Sequence, residues 1–388
     1  MHIAIDGRTI ARHRTGVGVY SERIVRSLLK IDQTNVYTLF LSEDDGALEA
    51  PNLTKILLPR STTMGPNRIW ENFALPRYLR RHSVDIYFSP AYVLPLLMRS
   101  RVGRKRTSRT LMVATIHDLV SYHFPETFTL KMRLWQRLFV SNAVRVADCI
   151  FADSIATKHD IQRYYDIPEE TIKVVYLPVD TRIQKVQDAA TLADIRKTYD
   201  LPDKFILYLG TLEPRKNVGR LAAAYAKLPE SVRATHSLVL AGNLGWYSEG
   251  IKREIEGLHL GNRIRLLGYV RHADLPALYT LASAFAYLSL YEGFGAPPLE
   301  AMACGTPVIC ARSSSLPEVV GDAALLVDPL NLEEISKGIL QLLSDDSIRK
   351  RLISRGLHQA TLFTADDKAA EILHIFGELA ARNAGRFG

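Results

Sequence analysis

The sequence predicts an α/β protein of two doubly wound domains facing a central cleft, and three observations carry that expectation. Short segments rich in β-branched and aromatic residues alternate with segments of helical apolar spacing. The alternation runs once through the first half, breaks near residues 181–200, and restarts at FILYLG (205–210). A length of 388 residues suits two domains better than one. Strand–helix alternation implies parallel strands joined by right-handed crossovers. Ligands of such sheets bind at the carboxyl ends of the strands, at the switch point, so functional residues should follow strands.

In the first half the strand candidates are 2–5, 36–41, 54–59, 84–89, 111–116, 149–153 and 172–177. Their β-branched and aromatic content suits strands covered on both faces. Helical stretches lie between them at about 18–30, 68–82, 129–146 and 154–165, the last with Ser154 as N-cap. In the second half strands are expected at 205–210, 237–242, 264–269, 284–289, 307–310 and 324–327. Helices fit at about 218–228, 248–258, 274–281, 297–304, 331–343 and 346–361. The domains expected are 1–180, a polar linker 181–200, and 201–365. The tail 366–388 has helical spacing at Ala370, Leu373, Phe376 and Leu379 and is expected to pack back on the N-terminal domain.

Composition narrows the class. With 47% hydrophobic and 23% charged residues the chain is globular. No apolar run approaches the ~18 residues of a membrane span. The start, MHIAIDGRTI, lacks the basic patch and long apolar stretch of an export signal. Three cysteines without a C-x-x-C pair suit a reduced, cytoplasmic location. The net charge is +8, of which residues 1–180 carry +7. The densest run, RSRVGRKRTSR (99–109), has six basic residues in eleven. It is either a solvated loop or a peripheral contact with the anionic inner face of the cell membrane. No aromatic-interleaved basic stripe accompanies it, so nucleic acid is not an expected partner.

Two loops carry the strongest chemical signals. In FILYLGTLEPRKN a strand ends at Gly210 and a helix begins near Val218, with Arg215 and Lys216 between. Adjacent cations ahead of a helix start suit a diphosphate, because free N–H groups and the helix dipole favour anions; the bland reading is a salt-bridged surface loop. In YEGFGAPPLEAMACGTPVI (291–309), Gly293 and Gly295 allow close backbone approach to a ligand. Glu292 lies in that loop and Glu300 one turn into the following helix, where a carboxylate can accept from paired sugar hydroxyls or simply answer the helix dipole. His117, in TIHDLV, ends a central strand of the first domain. TGVGVYSE (15–22) is a degraded dinucleotide fingerprint whose first glycine comes too late after the strand. A flexible Gly16–Gly18 loop opening a helix is the preferred reading. There is no D-x-D, no H-x3-H and no G-x-S-x-G, so no metal or cofactor is expected.

Taken together, 291–329 with GTLEPRKN (210–217), LLGYV (266–270), TIHDL (115–119), TGVGVY (15–20) and SIATKHDI (154–161) resembles the family 4 glycosyltransferases, retaining enzymes of GT-B fold, over nearly the whole chain. The resemblance implies two Rossmann-like domains, a nucleotide-sugar donor, a glycan or lipid-linked acceptor and no metal. It implies that Glu292 bonds the donor sugar, Glu300 the ribose, and Lys216 with Arg215 the diphosphate. Gly210, Thr211, Gly293, Phe294 and Gly295 would line the donor, Tyr269 and Val270 the base. His117 would face the sugar, and Gly16 and Gly18 would border acceptor and donor. Many members carry arginine where this chain has Thr211, leaving Arg215 to substitute. The stretches TGVGVYSERIV and HDLVSYHFPE resemble bacterial mannosyltransferases of surface-polysaccharide assembly, which implies GDP-mannose. A nucleotide-sugar 2-epimerase of the same fold, an NAD-dependent two-domain enzyme and a non-catalytic sugar-nucleotide binder stay open at this point.

Overall fold

The computed structural model describes residues 1–10, 16–44, 46–58, 70–96, 110–243, 245 and 248–387. They fall into two compact units, Met1–Pro178 with Ala365–Gly388, and Val179–Thr364.

The first unit is built on β1 (His2–Asp6), β2 (Val36–Leu41), β3 (Leu53–Leu57), β4 (Ile86–Ser89), β5 (Leu111–Ile116), β6 (Cys149–Ala152) and β7 (Ile172–Val174). Among the described residues these form a parallel seven-stranded sheet in the order β3-β2-β1-β4-β5-β6-β7. Strand alternation divides the core in two. Ile3, Ile5, Phe88 and Val113 face one cluster, while Ala4, Tyr87, Met112 and Ala114 face the other. The longer helices are α1 (Gly16–Ile31), α2 (Leu75–Arg81), α3 (Leu130–Val146) and α4 (Ile155–Tyr164). Thr129 caps α3 and Ser154 caps α4, each accepting a first-turn N–H.

The second unit carries β8 (Phe205–Leu209), β9 (Ser237–Ala241), β10 (Ile264–Gly268), β11 (Ala284–Tyr287), β12 (Val308–Ala311) and β13 (Ala324–Val327). Their order among the described residues is β10-β9-β8-β11-β12-β13, again all parallel. The longer helices are α5 (Ala189–Thr198), α6 (Val218–Ala226), α7 (Ser248–Glu256), α8 (Leu275–Leu281), α9 (Ala296–Ala303), α10 (Leu332–Ser344) and α11 (Asp346–Thr361). Strand order reverses between β8 and β11, which makes the carboxyl ends of these two strands the switch point of the sheet.

Three details differ from the expectation. The stretch 181–200 contains α5, packed on α8, where only a polar linker was expected. The Asp188 carboxylate caps it by accepting from the Ala190 and Thr191 N–H groups, Ile195 is buried, and Arg196 and Lys197 close the last turn. The helix expected over 68–82 begins as a π-turn, Trp70–Ala74, before α2. Gly16 and Gly18 sit in the first turn of α1 rather than in a loop.

The chain then returns to the first unit as α12 (Ala365–Phe387), which packs on α1. Ala369, Ile372 and Phe376 are fully buried in the first unit's core. The Phe376 ring meets Phe88 at 5.6 Å and Phe151 at 6.1 Å between centroids.

Candidate functional site

Pairing of β8 with β11 brings two loops together that are remote in sequence. The loop after β8 turns through Pro214–Lys216 and reaches α6 through Asn217, whose φ of 60° places it in the left-handed region. Asn217 Nδ2 donates to the carbonyls of Leu288 (3.1 Å) and Pro329 (2.8 Å), which ties this loop to those after β11 and β13. Its position also turns Arg215 and Lys216 toward Glu292. Lys216 Nζ donates to Glu292 Oε1 at 2.6 Å, and Arg215 Nη1 to Glu292 Oε2 at 2.9 Å. Arg215 further donates to Glu213 Oε1 (2.6 Å) and the Tyr291 carbonyl (2.6 Å). Tyr287, the last residue of β11, donates to Glu292 Oε1 at 2.9 Å and accepts from Lys216 Nζ at 3.0 Å.

This cluster is buried; Glu292 is 8% exposed. Burial pushes the Glu292 carboxyl up, but Lys216 and Arg215 outweigh it and hold the pKa at about 2. Burial likewise opposes the charge of Arg215, yet Glu292 and Glu213 raise its pKa above the ordinary value. For Lys216, burial is the largest effect and the pKa is lowered despite Glu292. Two cations and two carboxylates thus neutralise each other in a largely buried group. The sequence reading assigned the carboxylate and the cations to opposite ends of a ligand; the structure brings Arg215, Lys216 and Glu292 into one ion-paired group.

The rest of the carboxyl edge is shaped by close backbone approach. Gly242, after β9, has a φ of 134°, and a Cβ there would lie 2.0 Å from the Gly210 carbonyl. Gly295 (φ 95°) opens α9, and a Cβ there would strike Leu316 Cδ2 at 2.5 Å. Side chains therefore cannot grow into these turns. Ser314 donates to the Glu292 carbonyl at 2.6 Å, and the single Ser315 hydroxyl proton is shared between the Glu292 and Phe294 carbonyls at 2.9 and 2.8 Å, so the Glu292–Gly293–Phe294 backbone is pinned. Glu300 lies in α9, 9% exposed, and accepts from the Tyr279 hydroxyl at 3.0 Å. Tyr269, just past β10, is 66% exposed, whereas Val270 beside it is buried. Thr211 is exposed at the end of β8. Apart from Glu300 and Tyr279, which lie within α9 and α8, these residues follow strands at the carboxyl edge of one sheet.

In the first unit His117 follows β5. Its Nδ1 lies 2.6 Å from Asp153 Oδ2 and its Nε2 2.9 Å from the Pro90 carbonyl. The Pro90 carbonyl accepts, and with Asp153 ionised both bonds form when the ring carries two protons, although burial raises the Asp153 pKa as well. Burial opposes that charge, but Asp153 and the Pro90 carbonyl outweigh it and raise the His117 pKa. Both ring nitrogens are engaged, and Tyr20 of α1 packs edge-on at 4.9 Å. The basic run 99–109 lies outside the described residues. Among the described residues no group of three or more His, Cys, Asp and Glu side chains is placed to hold a metal ion.

Sequence reasoning missed Tyr287, Glu213 and Asn217 as members of the cluster. Tyr287 was absorbed into a strand pattern, although it is the last residue of the strand leading into the Glu292 loop. Glu213 lay in plain view beside the two cations, as their nearest counter-charge in sequence.

Two doubly wound parallel sheets, the second with its polar cluster at a switch point, define a GT-B architecture. The same fold occurs in sucrose-phosphate synthase from Thermosynechococcus elongatus, at a TM-score of 0.75 and 21% identity over 98% of this chain and 100% of that one. Residues 14–183 match Glycosyltransferase Family 4 and residues 193–359 match Glycosyl transferases group 1. The O-antigen chain mannosyltransferase B of Escherichia coli is 35% identical over 298 residues, covering 77% of this chain and 75% of that protein. The serotype-specific mannosyltransferase WbdA of Escherichia coli is 34% identical over 224 residues, which span 56% of this chain and 27% of that longer protein. The chain belongs to the family 4 glycosyltransferases, and its activity is glycosyl transfer.

Proposed function

We propose that the chain transfers mannose from GDP-mannose to a glycan or lipid-linked glycan of surface-polysaccharide assembly, with retention at the anomeric carbon. The buried Lys216–Arg215–Glu292 cluster at the switch point carries this reading, and the mannosyl donor rests on the activity named for the two Escherichia coli relatives. In it Lys216 and Arg215 turn to the donor diphosphate, and Glu292, released in part from them, accepts from the sugar hydroxyls. Glu300 takes the ribose hydroxyls, and Tyr269 and Val270 border the base. Gly210, Thr211, Gly293, Phe294 and Gly295 let backbone approach the phosphates and sugar. His117 faces the sugar by giving its Nε2–H to a hydroxyl in place of Pro90, and the Gly16–Gly18 turn borders acceptor and donor.

The chemistry is leaving-group stabilisation. The acceptor hydroxyl bonds to the anomeric carbon on the face from which the diphosphate departs. The carbon–phosphate oxygen bond breaks, and the hydroxyl proton passes to that departing oxygen. Cations aimed at the growing negative charge lower the barrier by roughly 3 kcal/mol per donor in comparable oxyanion sites. No metal is assigned a part, so transfer should survive EDTA. A peripheral membrane contact through 99–109 belongs to the same reading.

Thermal-shift screening with GDP-, UDP- and dTDP-sugars tests the donor, with GDP-mannose expected to stabilise most. Lys216→Ala should lower mannosyl transfer at least about 100-fold. Near-normal turnover in that variant would remove the lysine from the mechanism. Release of an epimerised sugar nucleotide without acceptor consumption would replace transfer with epimerisation.

A further inference from the structure

The first sheet has a switch point of its own. Its order reverses between β1 and β4, and the carboxyl ends of such strands are where a doubly wound sheet receives a ligand. Asp6 ends β1 and is buried. Arg8, two residues on, grips it with Nε to Oδ1 at 2.8 Å and Nη2 to Oδ2 at 2.6 Å. The remaining guanidinium nitrogen, Nη1, donates to Glu71 Oε1 at 2.5 Å, and the guanidinium lies over the Trp70 ring at 5.3 Å. Tyr87 of β4 donates to Asp6 Oδ2 at 3.3 Å. Glu71 belongs to the π-turn Trp70–Ala74 and is 7% exposed. Arg8 engages its Oε1, and no described residue donates to its Oε2.

Three features separate this group from an ordinary structural ion pair. Two carboxylates answer one guanidinium, so one negative charge stays uncompensated within the group, and all three Arg8 nitrogens are already engaged. Ser89, the last residue of β4, is fully buried, and among the described residues its Oγ has no hydrogen-bond partner. Side chains alternate along a strand, so Ser89 shares the face from which Tyr87 reaches Asp6. A buried hydroxyl left open there calls for a ligand or a water. Phe73, in the same π-turn as Glu71, is 65% exposed, and such turns recur at functional sites. Accepting carboxylate oxygens, an open hydroxyl and an exposed ring together match an uncharged sugar, with its hydroxyls for the polar atoms and its C–H face for the ring. A phosphate or carboxylate would instead meet the uncompensated negative charge.

We propose that the switch point of the first sheet binds the acceptor's terminal sugar and selects one that carries no charge. Glu71 Oε2 accepts from a sugar hydroxyl, and the Phe73 ring covers the C–H face. Asp6 is a positioning residue that acts through Arg8, which fixes the Glu71 carboxylate. The assignment rests on the transfer reading above, and it narrows the acceptor to an uncharged glycan end rather than a phosphate-bearing group.

The test is titration of the full chain with the methyl glycosides of mannose, N-acetylglucosamine and galactose, and with the 6-phosphates of the same sugars, followed by saturation-transfer NMR with and without GDP-mannose. At least one uncharged glycoside should bind, its 6-phosphate at least about ten-fold more weakly, and GDP-mannose should not displace it. Glu71→Gln should weaken glycoside binding at least about ten-fold. Phe73→Ala, at an exposed position, should weaken it about three-fold at an unchanged melting temperature. The proposal is overturned if no glycoside binds, if a 6-phosphate binds as well as its parent, or if either variant binds like wild type. It is equally overturned if GDP-mannose competes, which would put the glycoside in the donor's place. If GDP-mannose fails to bind while the glycosides behave as stated, the donor reading falls and the acceptor subsite stands.

Discussion

Tyr287 illustrates how much of the site depends on single atoms. Its hydroxyl is shared between Lys216 and Glu292 in a fully buried position, where each charged partner has few substitutes. Tyr287→Phe keeps the ring stacked near Tyr208 and removes only that oxygen. It should cost about 1–3 kcal/mol of stability, the range for buried bonds to charged groups, and lower kcat more than it raises donor KM. Thermal melting and steady-state kinetics check both; an unaltered kcat would leave the hydroxyl a purely structural role. His117 makes a pH-dependent contribution of opposite character. Its folded pKa is raised by Asp153 and Pro90, so the stabilisation is complete below the unfolded value of about 6.5 and is lost as pH rises through the folded pKa. The melting-temperature gap between wild type and His117→Gln should therefore narrow at alkaline pH. A gap that widens there would contradict the doubly protonated ring.

At the level of elements, α12 shows that a terminal helix can be core. Phe376 sits against Phe88 and Phe151 with no exposure, so Phe376→Ala should destabilise the first unit by about 3–5 kcal/mol. Denaturant unfolding measures this, and a loss near zero would mean that the helix merely rests on the surface. The strands were legible because runs such as FILYL and LMVATI are apolar at every position but Thr115, as two covered faces require. Helix α5 was hidden because its polar surroundings look like a linker, although Asp188 and the Arg196–Lys197 pair are ordinary end signals. The residue types at the site could be picked out, since glycine bends and paired charges follow strands. Their mutual geometry could not, because the Lys216–Glu292 bond depends on β8 lying beside β11. The partners of His117 come from the loop after β4 and the end of β6, and local spacing does not announce them. Gly16 and Gly18 look like loop residues by type, yet α1 begins at Gly16.

For the whole molecule, the decisive fact is that Val179–Thr364 interrupts the first unit, whose last helix is supplied only after it. A chain ending at Thr364 should expose the face of the first core that α12 covers. Limited proteolysis of that truncation should then cut within residues 1–178 and spare 179–364; an intact N-terminal fragment would show that the first unit holds without α12. The arrangement also sets an order of events during synthesis. Domains commonly mature from the N-terminus as they leave the ribosome, at about 5–20 residues per second. Here the guest emerges complete while its host still lacks a wall, so for roughly 10–40 s, the time to make residues 179–364, the nascent chain carries an open aromatic seam that chaperones have reason to recognise.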